Sequence, residues 1–283
     1  MAIYEAAEFH FRELPCIFHH IIRTDAFVYG INWHDEVELV HCIAGEGTAY
    51  LDGDSVHIRA GETVLFNHKV MHEIFADNRC EYFCVIFSKN FMQENGIDVM
   101  QVRFQNHIAH NRVIADAVEE LWDKEYRDSY DSENFVFYTP DPFRMVRIRK
   151  HLTDILMTLC ENYIETTHVQ KAKGDVGLLR VKKAIEYMNN HFSENITLMT
   201  LASMLSINKY QLTREFKKYT NMSVVRYHNT IRCRAAKYML LEGKTVADAA
   251  YATGFNNLSY FTKVYAECIA ELPSETRNRV KQR

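Results

Sequence analysis

The sequence predicts an α+β chain of two domains. An N-terminal antiparallel barrel or sandwich of short strands is followed by a helix pair. An all-α C-terminal domain of two helix-turn-helix units completes it. Three observations predict this. Short apolar runs broken by tight turns fill the stretch from Phe27 to Phe87. One helix-turn-helix pattern occurs twice beyond Ile196. Charge is split: from Leu178 onward there are 17 Lys and Arg against 8 Asp and Glu, a net +9. That leaves −13 on the rest of a chain whose total is −4. An acidic head on a basic tail is the division expected when only the tail meets phosphate.

Composition bounds the rest. Of 283 residues, 47% are hydrophobic and 25% charged, which suits about two globular domains. The start, MAIYEAAEFHF, carries charges and no long apolar run, so no secretory signal and no membrane association are expected. Seven scattered cysteines without a C-x-x-C pair fit a reducing cytoplasm.

Cys16 to Ile22 is an expected strand, and the residues before it an arm. Leu39 to Ile43 and Thr48 to Leu51 read as strands separated by a turn at Gly45-Glu46-Gly47. Asp52-Gly53 is a strong hairpin signal. Val56 to Ile58, Thr63 to Phe66 and Glu81 to Phe87 are further strands. Helical spacing then runs from Asn106 to Tyr126 and from Phe143 to Thr166. Arg127 to Pro142 lies between them as a loop. Polar THVQKAKGDVG, with two glycines, is the expected linker. The boundaries are therefore 1–166, a linker at 167–177, and 178–283.

In the first unit Thr197 caps a helix with Leu198, Leu201, Ala202 and Leu205 inward. Asn208 caps the next, where Leu212 and Phe216 bury. Lys209, Tyr210, Thr213 and Arg214 stay outside, followed by Lys217 and Lys218. Ser223 to Leu241 is a long helix with Val224, Tyr227, Ile231, Ala235 and Tyr238 at helical spacing. In the second unit Val246, Ala249, Ala250 and Thr253 share a face, and Gly254 stops the helix. Asn256 or Asn257 caps its partner, with Phe261, Val264 and Tyr265 inward. Leu258, Ser259, Thr262 and Lys263 are left outside.

These residues resemble the DNA-binding domain of AraC/XylS-type transcription regulators over about 100 residues. The resemblance is carried by Ala250, Gly254, Phe255, Ser259, Tyr260, Phe261, Lys263 and Tyr265, then Pro273 and Arg277. The first unit fits through Leu201, Ala202, Leu212, Arg214, Phe216, Lys217, Lys218, Met222 and Ser223. Two departures are Ala266-Glu267 for a usual basic pair and Ala270 for a usual glycine. Under this resemblance the exposed residues of both units face a major groove, while Lys217, Lys218 and Arg232 meet phosphates. Promoter DNA is the implied partner, with RNA polymerase a further one. The chain is expected to act as an activator and as a homodimer. Pairing of chains through the central helices and simple cover of the strands are both open readings of that helix pair.

The strand region in turn resembles the cupin-like sugar-sensing barrel found ahead of such domains. His34-x3-Glu38-x6-Gly45 matches one motif, and Gly61 followed by His72 the other. The resemblance puts Glu38 and His72 inward with Tyr82 and Cys84, and His34 beside them. Together they suit a small effector such as a sugar. His34, Glu38 and His72 are also of the types that hold iron, manganese or zinc, as in metal-dependent cupin enzymes. One usual histidine is missing and the usual Pro-rich turn ending in His has become Asn67 to His72. A polar pocket without metal or cofactor is therefore preferred, and the chain is expected not to be an enzyme. A ligandless dimerisation barrel is the third reading. No Gly-rich phosphate loop or nucleophile elbow occurs.

Overall fold

The computed structural model describes residues 14–24, 31–131, 136–137, 140–166 and 175–278. The expected arm and most of the linker lie outside them. Five strands open the described chain: β1 (Cys16–Thr24), β2 (Val37–Leu51), β3 (Asp54–Arg59), β4 (Thr63–Phe66) and β5 (His72–Phe87). After α1 (Lys89–Glu94) come the short strands β6 (Arg103–Phe104) and β7 (His107–Ile108). Helix α2 (Arg112–Leu121) runs into a π-helical turn at Trp122–Tyr126. The minor hairpin β8 (Tyr130–Asp131) and β9 (Val136–Phe137) precedes α3 (Arg144–Asn162) and β10 (Ile164–Thr166).

The main sheet is antiparallel in the order β1-β5-β2-β4-β7, with β3 hydrogen-bonded to β2. It is not the closed barrel the short strands suggested. The reason lies in β2 and β5, which pair from Val37↔Phe87 to Leu51↔His72. The expected turn at 45–47 is instead a pair of register shifts, between Cys42 and Ala44 and between Gly45 and Gly47. Bulges bend a strand without ending it. The two long strands therefore fold over while β1 and β7 remain at opposite ends of the order. Helices α2 and α3 cover the outer apolar face.

Alternation sorts the side chains. Val37, Leu39, Val85 and Phe87 join Ile114, Leu121, Ile148 and Leu156 in the sheet–helix core. Val40, Cys42, Tyr82, Cys84 and Ile86 point into the folded sheet. Asn106, expected to be helical, is held by pairing: its backbone accepts from Leu65 N and its side chain donates to Leu65 O. The helix accordingly starts at Arg112, capped by Asn111.

The C-terminal domain contains α4 (Val176–Asn190), α5 (Leu198–Met204), α6 (Lys209–Thr220), α7 (Val224–Leu241), α8 (Val246–Ala252), α9 (Leu258–Ile269) and α10 (Pro273–Asn278). Asp175 caps α4, so the helix enters the expected linker by two residues. Helix α7 serves two cores. Val224, Tyr227 and Ile231 pack with the first unit, and Cys233, Ala236 and Leu240 with the second. Tyr238, expected inside, is exposed, and Ala235 only half-buried, because burial on two sides departs from a single stripe.

The strand domain docks on the first unit. Ile31, Trp33 and Met71 share a core with Val181, Leu212, Phe216 and Tyr219. The Lys182 ammonium donates to the Lys69 carbonyl and lies 3.8 Å from Asp52.

Candidate nucleic-acid interface and effector cluster

Both turns of the C-terminal domain are capped by the residue types their geometry needs. Asn208 accepts from Gln211 N at 2.9 Å and Asn257 from Tyr260 N at 2.8 Å. Thr197 and Thr245 cap the helices that support them. Gly254 has φ +86° and lies so close to Ser193 that a Cβ would sit 2.3 Å from its carbonyl oxygen. No side chain fits there.

The caps leave Lys209, Tyr210, Thr213, Arg214 and Lys217 exposed on α6, and Leu258, Ser259 and Lys263 exposed on α9. Thr262 is half-buried and its hydroxyl donates to Leu258 O. Lys218 is exposed but engaged: its ammonium donates to Tyr219 Oη at 2.8 Å and stands 3.6 Å from Asp175. Arg232 departs from expectation. Its Nε donates to Phe192 O at 2.7 Å and an Nη to Glu194 O at 2.8 Å, with the guanidinium against Phe255. It closes the seam between the two units instead of standing free for phosphate. Arg226, exposed on α7, was not singled out in the sequence. Its position three residues after the capping Ser223 was the available signal.

Inside the folded sheet, four of the five expected effector residues meet at one carboxylate. Glu38 Oε2 lies 2.9 Å from His34 Nε2 and 3.2 Å from His72 Nε2. Cys84 Sγ donates to Glu38 Oε1 at 3.3 Å. Tyr82, in the same interior, is not bonded to that carboxylate but accepts from Arg23 Nε at 2.9 Å, a partner not foreseen. His72 stacks on Phe66, and its Nδ1 donates to Val70 O at 2.9 Å. With that hydrogen given outward, Nε2 needs either a second hydrogen or a cation to face the carboxylate. Burial raises the Glu38 pKa. The charges of His72 and His34 and their hydrogen bonds outweigh that effect, holding the carboxyl well below its ordinary 4.5. His34, Glu38 and His72 each offer one ligand atom, all within 4.8 Å of one another, so they are the residues that would hold a metal ion.

Residues 201–279 match the family model of a helix-turn-helix domain, and residues 15–133 match that of an AraC-like ligand binding domain. The chain belongs to the AraC/XylS family of transcription regulators. As an AraC-family regulator it binds DNA and carries a ligand-binding domain. It is 21% identical over 246 residues to the uncharacterized HTH-type transcriptional regulator YdeC of Bacillus subtilis (strain 168), covering 86% of this chain and 84% of that one. It is 31% identical over 97 residues to the bifunctional transcriptional activator/DNA repair enzyme AdaA of the same organism, covering 34% and 46%. The solved structure of ToxT from Vibrio cholerae aligns with a TM-score of 0.46 at 13% identity, covering 92% and 98%. Among the described residues of this AraC-family chain, no helix is long and apolar enough to cross a membrane.

Two buried histidines make its stability acid-sensitive. Burial, with His110 nearby, lowers the His41 pKa to about 4, and burial, with Arg232 nearby, lowers that of His228 to about 4. The unfolded chain takes up these protons near pH 6.5, and the native chain refuses them down to about 4. Stability is thus complete above pH 6.5 and falls as pH drops towards 4, by at most about 3 kcal/mol per site. Urea midpoints should show this fall, and His228→Gln, which can still donate to Phe192 O, should lessen it. An undiminished fall in that variant would remove His228 from the account.

Proposed function

We propose that the chain is a cytoplasmic, effector-responsive activator. As a homodimer it reads promoter DNA with α6 and α9 and works with RNA polymerase. Residues 1–166 sense the effector and pair the chains, and residues 178–283 bind DNA. The observation that carries this reading is the doubled, capped helix-turn-helix on one shared helix, with exposed polar faces on both recognition helices. Activation is supported by the name of AdaA.

Arg214 is the proposed base reader, since its planar fork can bind guanine at two atoms. Lys209, Tyr210, Thr213, Ser259, Thr262 and Lys263 are proposed to complete the contacts, with Leu258 against a thymine methyl. Lys217 is the proposed phosphate contact on α6. Arg214→Ala should cost roughly 1–3 kcal/mol on a duplex selected by this protein from a random pool, and much less on unselected DNA. Lys217→Ala should weaken both alike and reduce the salt slope by about one. Titration of both variants on both duplexes decides it. Equal losses for Arg214→Ala on the two would make Arg214 a phosphate contact.

Dimerisation is supported by the exposed faces of α2 and α3. Ile114 and Leu156 belong to the chain's own core, whereas Val113, Phe143, Val146 and Met157 are exposed. The wild-type chain should sediment as a dimer; a monomer at micromolar concentration counts against the idea.

The Glu38 cluster is proposed to take a small polar effector such as a sugar, whose hydroxyls would replace the bonds among His34, Glu38, His72 and Cys84. A thermal-shift screen of mono- and disaccharides should find one that stabilises the wild type but not Glu38→Gln. A metal ion is the second reading, favoured by the convergence of three ligand atoms. Metal analysis separates the two: stoichiometric iron, manganese or zinc in the purified wild type would replace the sugar with a metal.

A further inference from the structure

A groove of about 510 Å³ runs between the start of α7 and α9. Arg226 and Asn229 line it from α7, and Tyr260, Lys263 and Glu267 from α9. It lies between the two proposed reading helices. Ser223, just beyond the end of α6 at Asn221, lines it too, and Lys263 belongs to the outer face of α9. We propose that this groove seats a backbone phosphate of the DNA between the two heads, and that Arg226 supplies from α7 the phosphate contact that α9 itself lacks.

The two reading helices differ where such a contact is needed. Helix α6 continues from Phe216 into Lys217 and Lys218, whereas α9 continues from Tyr265 into Ala266 and Glu267. Glu267 is exposed and repels phosphate. Its carboxylate also stands 4.0 Å from the ammonium of Lys263, the only Lys or Arg in α9. Arg226 lines the same groove as Glu267, so a cation is restored near that position from the opposite wall. Arg226 is exposed, and its backbone donates to Ser223 Oγ at 3.2 Å. Among the described residues no carboxylate pairs with its guanidinium. Tyr260 adds a neutral donor. Asn229 Nδ2 donates to its Oη at 3.0 Å, which leaves the phenol hydrogen for an acceptor in the groove. The positive end of the α7 dipole adds to the same field.

Duplex geometry brings a phosphate to this place. Two helices of one domain that enter successive major-groove segments have a minor groove and its two backbones between them. The helix that joins the heads faces those backbones. A guanidinium at its start can hold a phosphate through two nitrogens. Such a contact carries no base information; it fixes the register of the two heads on the duplex. Seating the phosphate here rests on α6 and α9 reading DNA as proposed above.

The test is titration of the full chain on the selected duplex and on unselected DNA at several salt concentrations. Arg226→Ala should weaken binding to both by about fivefold and lower the salt slope by about one. Tyr260→Phe keeps the ring beside Phe255 and should cost about threefold on both, with the slope unchanged. Glu267→Lys, at an exposed site, reads the groove by gain of a contact. It should strengthen binding, raise the slope by about one, and restore both quantities in the Arg226→Ala chain. Glu242→Lys, exposed at the far end of α7, adds the same charge and should restore neither. Equal restoration by Glu242→Lys would make the effect one of net charge and overturn the site. A loss for Arg226→Ala confined to the selected duplex would make Arg226 a base reader and overturn it as well. Lys217→Ala reports on the reading by α6. If it lowers the slope and Arg226→Ala does not, the groove holds no phosphate and the reading stands; if neither lowers it, both fall.

Discussion

Gly254→Ala is expected to destabilise the C-terminal domain by about 3 kcal/mol or more and to abolish tight operator binding. A left-handed backbone costs a non-glycine residue about 1–2 kcal/mol on its own. The new Cβ would also sit 2.3 Å from Ser193 O and 2.9 Å from an Arg232 nitrogen, and neither neighbour is free to move. Ser193 precedes Glu194 in the loop whose carbonyls receive the Arg232 guanidinium. The substitution therefore pushes on the seam that joins the units. Gly243 supplies the control: it has φ +88° but nothing within 4 Å of its would-be Cβ. Gly243→Ala should cost about 1–2 kcal/mol, the backbone effect only. Urea unfolding of both variants makes the comparison. Equal losses would show that contact with the Ser193 loop carries no weight.

Arg147→Ala should cost the N-terminal domain about 3–5 kcal/mol, because it removes the main partner of a buried carboxylate. Glu125 is 1% exposed and lies in the π-helical turn after α2. Arg147 reaches it from α3 with two hydrogen bonds and also donates to Asp141 at 2.6 Å. Arg144 Nε stands 3.8 Å away, too far to take over both oxygens. Arg149→Ala breaks an exposed pair with Glu94 and should change stability by less than about 1 kcal/mol. Thermal unfolding of the full chain separates the two. A small effect for Arg147→Ala would mean Arg144 or water satisfies Glu125 unaided.

Legibility in the sequence followed the range of the interactions. The two helix-turn-helix units rest on local devices: Thr197, Asn208, Thr245 and Asn257 at helix starts and Gly254 at a stop. Each acts within about one turn of helix, so spacing alone displays it. The strands were harder. Gly45 and Gly47 are equally good signs of a turn or a bulge, and only pairing with β5 selects the bulge. The first half of β5 was hidden because His72, Glu73 and Arg79 do not look like a strand until the opposing strand is in place.

The effector cluster was partly legible. Glu38 and His72 meet inside the folded sheet, where the cupin resemblance placed both, but Tyr82 bonds to Arg23, a residue about 60 positions away whose approach depends on the pairing of β1 with β5. The contacts of Arg232 within the chain were hidden because basic residues on a basic domain look alike in sequence. Its partners are backbone carbonyls, which carry no residue signature.

Helix α7 has a consequence for how promoters can vary. Its first half is built into one reading unit and its second half into the other. It is therefore a ruler that also sets phase. Loss of a single residue from its middle would shorten the span by only about 1.5 Å but rotate one head against the other by about 100°. Sequence drift in this helix is confined to its exposed positions, since Tyr227, Cys233, Ala236 and Leu240 are buried in the two cores, and under the proposed DNA reading its length sets the separation of the two stretches that one chain contacts.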